Sequence, residues 1–170
     1  MTGTAPLRPK PANAIRIFLR RWRRTSWPNR ALLCEAMALL VIARIAILVL
    51  PFRTIGAIAA RMRTVHVPTD AARAVIVGRI RWAILACAKR APFRAVCFQQ
   101  GLAAQIMLHR RGVSSTLYFG AAPDDIRGLV AHVWVRDGDT EIVGCEEAPR
   151  FAVLARFPDN SAVHHGSMTH

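Results

Sequence analysis

Residues 95–112 read A-V-C-F-Q-Q-G-L-A-A-Q-I-M-L-H-R-R-G, and residues 129–144 read L-V-A-H-V-W-V-R-D-G-D-T-E-I-V-G. The first segment follows Pro92, keeps its apolar residues at helical spacing and stops at Gly112, a residue suited to closing a helix. The second is two apolar, β-branched runs around Asp137-Gly138-Asp139, the pattern of a hairpin. Gly101 and Ala104 follow Cys97 at one and two turns, and this small-residue stripe lets a sheet approach the helix closely. The fold class expected is α+β: a cysteine-bearing helix packed on a small antiparallel sheet, preceded by helices.

Upstream the chain reads as helical throughout. Residues 1–13 are rich in Pro and small polar residues and are expected to be a flexible N-terminus. Residues 14–66 form a basic and apolar helical region. Its first helix, around I-R-I-F-L-R-R-W-R-R, sets Ile15, Phe18, Leu19 and Trp22 on one face and arginines on the other, and Pro28 ends or restarts it. Asn29 is the expected cap of a second helix, the most hydrophobic segment of the chain. Its uninterrupted apolar run, Ala36 to Ala43, is broken by Arg44, and Glu35 lies near its start. A spanning helix wants roughly 20 predominantly apolar residues. A buried or interfacial helix is therefore the expectation, with a true membrane span as the alternative. A shorter helix follows Pro51.

Residues 67–158 are the expected core domain. A helix from Asp70 to Arg90 turns Val75, Ile76, Ile80, Ile84 and Leu85 inward, with Arg73, Arg79 and Arg81 outward. After Gly112, V-S-S-T-L-Y-F-G reads as a strand, A-A-P-D-D as a loop and R-F-A-V-L-A-R-F as one more strand. Residues 159–170 are expected to be a flexible tail.

The formal net charge of +14 is unevenly placed. Of the 24 Lys and Arg, 20 precede Val113, where the only acids are Glu35 and Asp70. Such asymmetry fits an anionic partner (nucleic acid, anionic lipid, or an acidic protein or peptide), or a compositional preference for Arg, which outnumbers Lys 22 to 2. Four widely spaced cysteines form neither a metal knuckle nor a disulfide framework. The first residues lack the layout of a secretory signal, so the reducing cytosol is the expected compartment, with peripheral membrane association an added expectation. Phosphate-binding, dinucleotide-binding and H-E-x-x-H motifs are missing from the sequence, and no cofactor or metal is expected.

Two residues carry chemistry when taken together. Cys97 opens a helix and faces the positive end of its dipole, a setting that stabilises thiolates. His132 lies inside an apolar strand, on the face shared by Val130 and Trp134, and its ring nitrogens need partners there. A thiol nucleophile needs a base, and the base needs a group to orient it. The orienting group depends on hairpin register: position 132 faces 145 if Gly138-Asp139 is the turn, and 143 if Asp137-Gly138 turns instead. Glu146 is the expected third member, within reach only through a bulge or a strand end.

The segments C-F-Q-Q-G-L-A-A-Q-I-M-L-H-R-R-G-V, L-Y-F-G and A-H-V-W-V-R-D-G-D resemble the core of the lasso-peptide leader peptidases, which are transglutaminase-like cysteine proteases. The resemblance covers roughly residues 30–157. It implies a papain- or transglutaminase-like core in which Cys97 is the nucleophile and His132 the base. It further implies removal of the leader from a ribosomally made precursor peptide, so that a separate macrolactam cyclase can close the ring. The family's usual third residue is an Asp after the hairpin, where this chain has V-G-C-E-E. The resemblance thus leaves either Glu146 as substitute or a working dyad. Residues 1–65 read as helices rather than as the strand-containing leader-recognition unit fused in some members, which implies a separate leader-recognition protein. Nucleic acid is not a partner in this reading. Two alternatives stand beside it: a basic membrane-surface or nucleic-acid-binding helical protein with Cys97 and His132 structural, and a transglutaminase-like acyl transferase.

Overall fold

The computed structural model describes residues 26–51, 54, 55, 57, 68–93, 95–126 and 128–158. The expectations for residues 1–13, for the first basic helix, for most of the helix after Pro51 and for the 159–170 tail lie outside the described residues. Within them, three long helices precede a four-stranded antiparallel sheet: α1 (Trp27–Val49), α2 (Asp70–Ala88), α3 (Cys97–His109), then β1 (Thr116–Asp124), β2 (Gly128–Asp137), β3 (Thr140–Val143) and β4 (Ala152–Phe157). A single 3-10 turn, Ala148–Arg150, joins β3 to β4. The strand order is β3-β2-β1-β4. This is the α+β architecture the sequence predicts.

The core forms where α2 and α3 meet one face of the sheet and α1 packs on both of these helices. Leu32, Ala36 and Leu40 of α1 pack with Ile80 and Ile84 of α2, Met107 and Leu108 of α3, and Val133, Val135 and Ile142 of the sheet. Gly101 is what lets α3 come this close. A Cβ there would lie 2.9 Å from Val133 Cγ1 and 3.4 Å from Val135 Cγ2. The end of α3 is also as expected: Gly112 takes φ +76, the Val113 N–H donates to the Leu108 carbonyl and the Gly112 N–H to that of His109, both at 3.0 Å. These paired bonds are the Schellman closure that only a glycine adopts without strain.

Several local readings are corrected. Helix α1 begins before Pro28, with Ser26 at the cap position. Pro is tolerated in a first turn because the missing N–H has no intrahelical acceptor there, and Asn29 instead accepts a hydrogen bond from Arg79 at 3.1 Å. In α2, Val75 is exposed and Val77 takes its place inside. Strand β1 continues through Ala121–Asp124 where a loop was expected. Pro123 is accommodated because β4 pairing stops at Ala121, leaving one side of the strand end without a ladder to break. The arginines of α2 do not all point to solvent. Arg73 makes a two-pronged ion pair with the buried Asp137, a residue read from sequence only as part of a turn.

Helix α1 is long and apolar enough, by length and composition, to cross a membrane. One side is anchored in the core through Leu32, Ala36 and Leu40, and the other exposes Ile42, Ile45, Leu48 and Val49. Glu35 is on the protein side. Arg111 reaches its carboxylate at 2.6 Å and Arg110 at 3.1 Å, tying α1 to the end of α3.

The hydrogen bond from Arg111, helped by both arginine charges, holds the Glu35 carboxyl below its ordinary value of 4.5. A carboxyl depressed on folding contributes stability that is fully present above the unfolded value and is lost as pH falls through the lower folded one. Glu35→Gln is therefore expected to cost about 1.5–3 kcal/mol at neutral pH, the range for hydrogen bonds to charged groups. It should also flatten the loss of stability below pH 4.5, as read from urea midpoints across pH.

Candidate active site

The hairpin turns at Gly138-Asp139, with Asp137 opposite Thr140 and Arg136 opposite Glu141. The register then slips, and Val135 pairs with Val143. Ile142 is the extra residue of this bulge. Its carbonyl is taken by Arg81 Nη1 at 2.8 Å. Unbroken pairing would have set position 145 opposite His132; the slip instead sets Gly144 level with Trp134, and because β3 ends at Val143 the chain leaves the ladder there and turns the Gly144 carbonyl to the His132 ring.

His132 is buried, and its Nε2 lies 2.7 Å from the Gly144 carbonyl oxygen. A carbonyl oxygen only accepts, so Nε2 carries the hydrogen and the neutral ring keeps its lone pair on Nδ1. The ring packs beside Phe151, centroids 4.9 Å apart and tilted by 30°, and beside Trp134 at 6.0 Å. Trp134 in turn stacks on Tyr118. Val133 and Val135 point to the opposite side of β2, into the core, as the alternation predicts. Gly144 has φ +72, and a Cβ there would lie 2.6 Å from the Val133 carbonyl oxygen. Only glycine fits at this point.

Cys97 is the first residue of α3 and is half-buried, with a free thiol. Its N-cap, Val96, has no polar side chain, and the two glutamines that follow secure the first turn instead. Gln99 Oε1 accepts from the Val96 N–H at 2.9 Å, and Gln100 Nε2 donates to the Ala95 carbonyl at 2.6 Å. The other cysteines are differently placed. Cys87 and Cys145 are buried, and burial pushes both thiols up. Cys34 is exposed on α1.

One cavity of about 200 Å³ is lined by Leu85, Cys97, Gln100, His132, Gly144, Glu146 and Glu147. The three residues singled out from sequence thus meet at a single opening between α2, the start of α3 and the end of β3. Glu146 stands there as a carboxylate bonded to Arg81 Nη2 at 2.8 Å. Its carboxyl is held below the ordinary range chiefly by a hydrogen bond from its own main-chain N–H, with Arg81 and His132 adding to the effect. The hydrogen bond that the ring makes is to Gly144, not to Glu146. Sequence reasoning missed Gly144, Gln100 and Arg81. Gly144 left a trace, as a glycine directly after a strand; Gln100 and Arg81 looked like ordinary helix-surface residues. Among the described residues no group of three or more His, Cys, Asp or Glu side chains is arranged to hold a metal ion.

A family model described as the transglutaminase-like superfamily matches residues 36–156, which include Cys97, His132 and Glu146. No curated protein and no solved structure matches the chain.

Gly144→Ala places a Cβ against the Val133 carbonyl and forces a left-handed backbone on alanine. The expected cost is at least about 1–2 kcal/mol of stability from the backbone alone. Thermal unfolding would register it, and a variant as stable as the parent would contradict the close approach.

Proposed function

This chain belongs to the transglutaminase-like superfamily, and from that premise we propose that it is a cysteine peptidase that removes the leader from a lasso precursor peptide. The superfamily supports chemistry of the thiol protease or acyl-transfer type. The finer assignment rests on the resemblance of C-F-Q-Q-G-L-A-A, L-Y-F-G and A-H-V-W-V-R-D-G-D to the leader peptidases. The observation that carries the chemistry is the sharing of one cavity by Cys97 and a histidine whose Nε2–H is committed to a carbonyl.

In this mechanism His132 Nδ1 takes the proton of the Cys97 thiol as Sγ attacks the scissile carbonyl carbon. The tetrahedral intermediate collapses to a thioester, and the imidazolium returns the proton to the leaving amine. Water, deprotonated by His132, then attacks the thioester, releasing the leader as a carboxylate and restoring the thiol. The Cys97 main-chain N–H, in a first turn that offers it no intrahelical acceptor, is a donor for the developing oxyanion. The Gly144 carbonyl holds the ring in the productive tautomer, the task an Asp or Asn side chain performs elsewhere. Glu146 stabilises the imidazolium by its charge across the cavity. No step calls on a metal or cofactor.

The precursor arrives on a separate leader-recognition protein, and the freed amine passes to a separate macrolactam cyclase. The setting is the cytoplasm, where the exposed apolar side of α1 is available for peripheral membrane contact.

Incubation with precursor and recognition protein, followed by mass spectrometry, tests this. Cys97→Ala is expected to give no cleavage, and His132→Ala to lower kcat/KM about 10²–10⁴-fold, both with unchanged circular dichroism. Cleavage by Cys97→Ala at the parent rate would refute the mechanism. A product heavier by a joined amine, rather than split by water, would mark acyl transfer instead.

A further inference from the structure

We propose that Arg81 of α2 is a positioning residue that sets the Gly144 carbonyl, and through it the tautomer and orientation of His132. The proposal deepens the peptidase reading and takes its kinetic meaning from it, while its structural part stands on geometry alone.

The carbonyl that receives the His132 ring lies where the sheet no longer holds the chain. Strand β3 ends at Val143, one residue short of Gly144, and the bulge has already taken Ile142 out of the ladder. A main chain released in this way has to be held by something else if its carbonyl is to stay 2.7 Å from a ring nitrogen. Arg81 grips this segment on both sides. Nη1 donates to the Ile142 carbonyl, two residues before Gly144, and Nη2 to the Glu146 carboxylate, two residues after it, each at 2.8 Å. One planar guanidinium thus brackets the five residues centred on Gly144. Among the described residues the Cys145 thiol also ties this segment, donating to the Val135 carbonyl at 3.3 Å and lying 3.6 Å from the Val143 carbonyl, each a weaker tie than a charge-assisted bond.

The fork is also what makes arginine specific here. Lysine keeps the charge and can meet Glu146, but its single ammonium group lacks the rigid spacing that reaches a carbonyl and a carboxylate together. Losing Arg81 also removes the charge that holds the Glu146 carboxylate. The register of the bulge, the glycine at φ +72 and the arginine act as one device.

The test combines kinetics with ¹⁵N NMR of the imidazole in the full-length protein. In the parent, His132 is expected as the Nε2–H tautomer with a slowly exchanging Nε2 proton. Arg81→Gln should release that proton to solvent exchange and mix the tautomers. It should lower kcat about 10- to 100-fold, the scale of a misplaced catalytic group, with KM within about twofold. Arg81→Lys should fall between the two. Arg79→Gln removes the same charge from the same helix, but from a contact with Asn29, and should behave as the parent in both measurements. Parent-like kcat and a parent-like His132 spectrum in Arg81→Gln would overturn the proposal. If Arg81→Gln does not fold, Arg81→Lys decides, an intermediate spectrum supporting the device and a parent-like one sinking it. A loss of the Nε2–H signal in Arg81→Gln supports the positioning role even if the parent cleaves no precursor, an outcome that would refute the peptidase reading alone.

Discussion

The approach of α3 to β2 governs the rest of this molecule. With hydrogen alone at Gly101, the helix settles against Val133 and Val135 at a distance any Cβ would contest. Gly101 lies four residues, about one turn, from Cys97, so close packing at the glycine brings the first turn of the helix to the edge of the sheet. There the end of β3 and the histidine of β2 complete the cavity. Tight packing in the core and the meeting of thiol and imidazole are therefore one event.

Charge adds ties between the helical half and the sheet half. The chain is strongly basic before Val113 and mildly acidic after it, an asymmetry that invites an external anionic partner. Part of the partnering is internal. Arg73 and Arg81 of α2 reach Asp137 and Glu146 on the hairpin and the segment after it. Their long aliphatic stems let residues on a helix surface span to the sheet while keeping the charge in contact.

The contrast among the four cysteines bears on the alternative in which Cys97 and His132 are merely core. Cys87 and Cys145 behave as core residues do: both are buried, and both donate their thiols to backbone carbonyls. Cys97 is half-buried at a helix start and opens on a cavity beside an oriented imidazole. His132, though buried, is ordered by two neighbouring aromatic rings and one hydrogen bond at its edge. That arrangement restrains the ring while leaving the other nitrogen for chemistry.

The sequence by itself determined what is local. Helical spacing after Pro92, the glycine that closes α3, the hairpin turn around Gly138 and the two-residue alternation of β2 each act over a few residues. They sufficed to place Cys97 at a helix start and His132 on a strand. The small residue at 101 even foretold the close approach. Tertiary structure alone decided the partner of the imidazole. A main-chain carbonyl is the same at every position, so nothing in the letters marks the one at Gly144 as the acceptor that a side chain such as Glu146 was expected to supply. Its place depends on a bulge, and the bulge leaves Ile142 with a carbonyl satisfied by an arginine more than 60 residues earlier in the chain. Pairings of that range are set by how the elements pack, and local pattern carries no record of them.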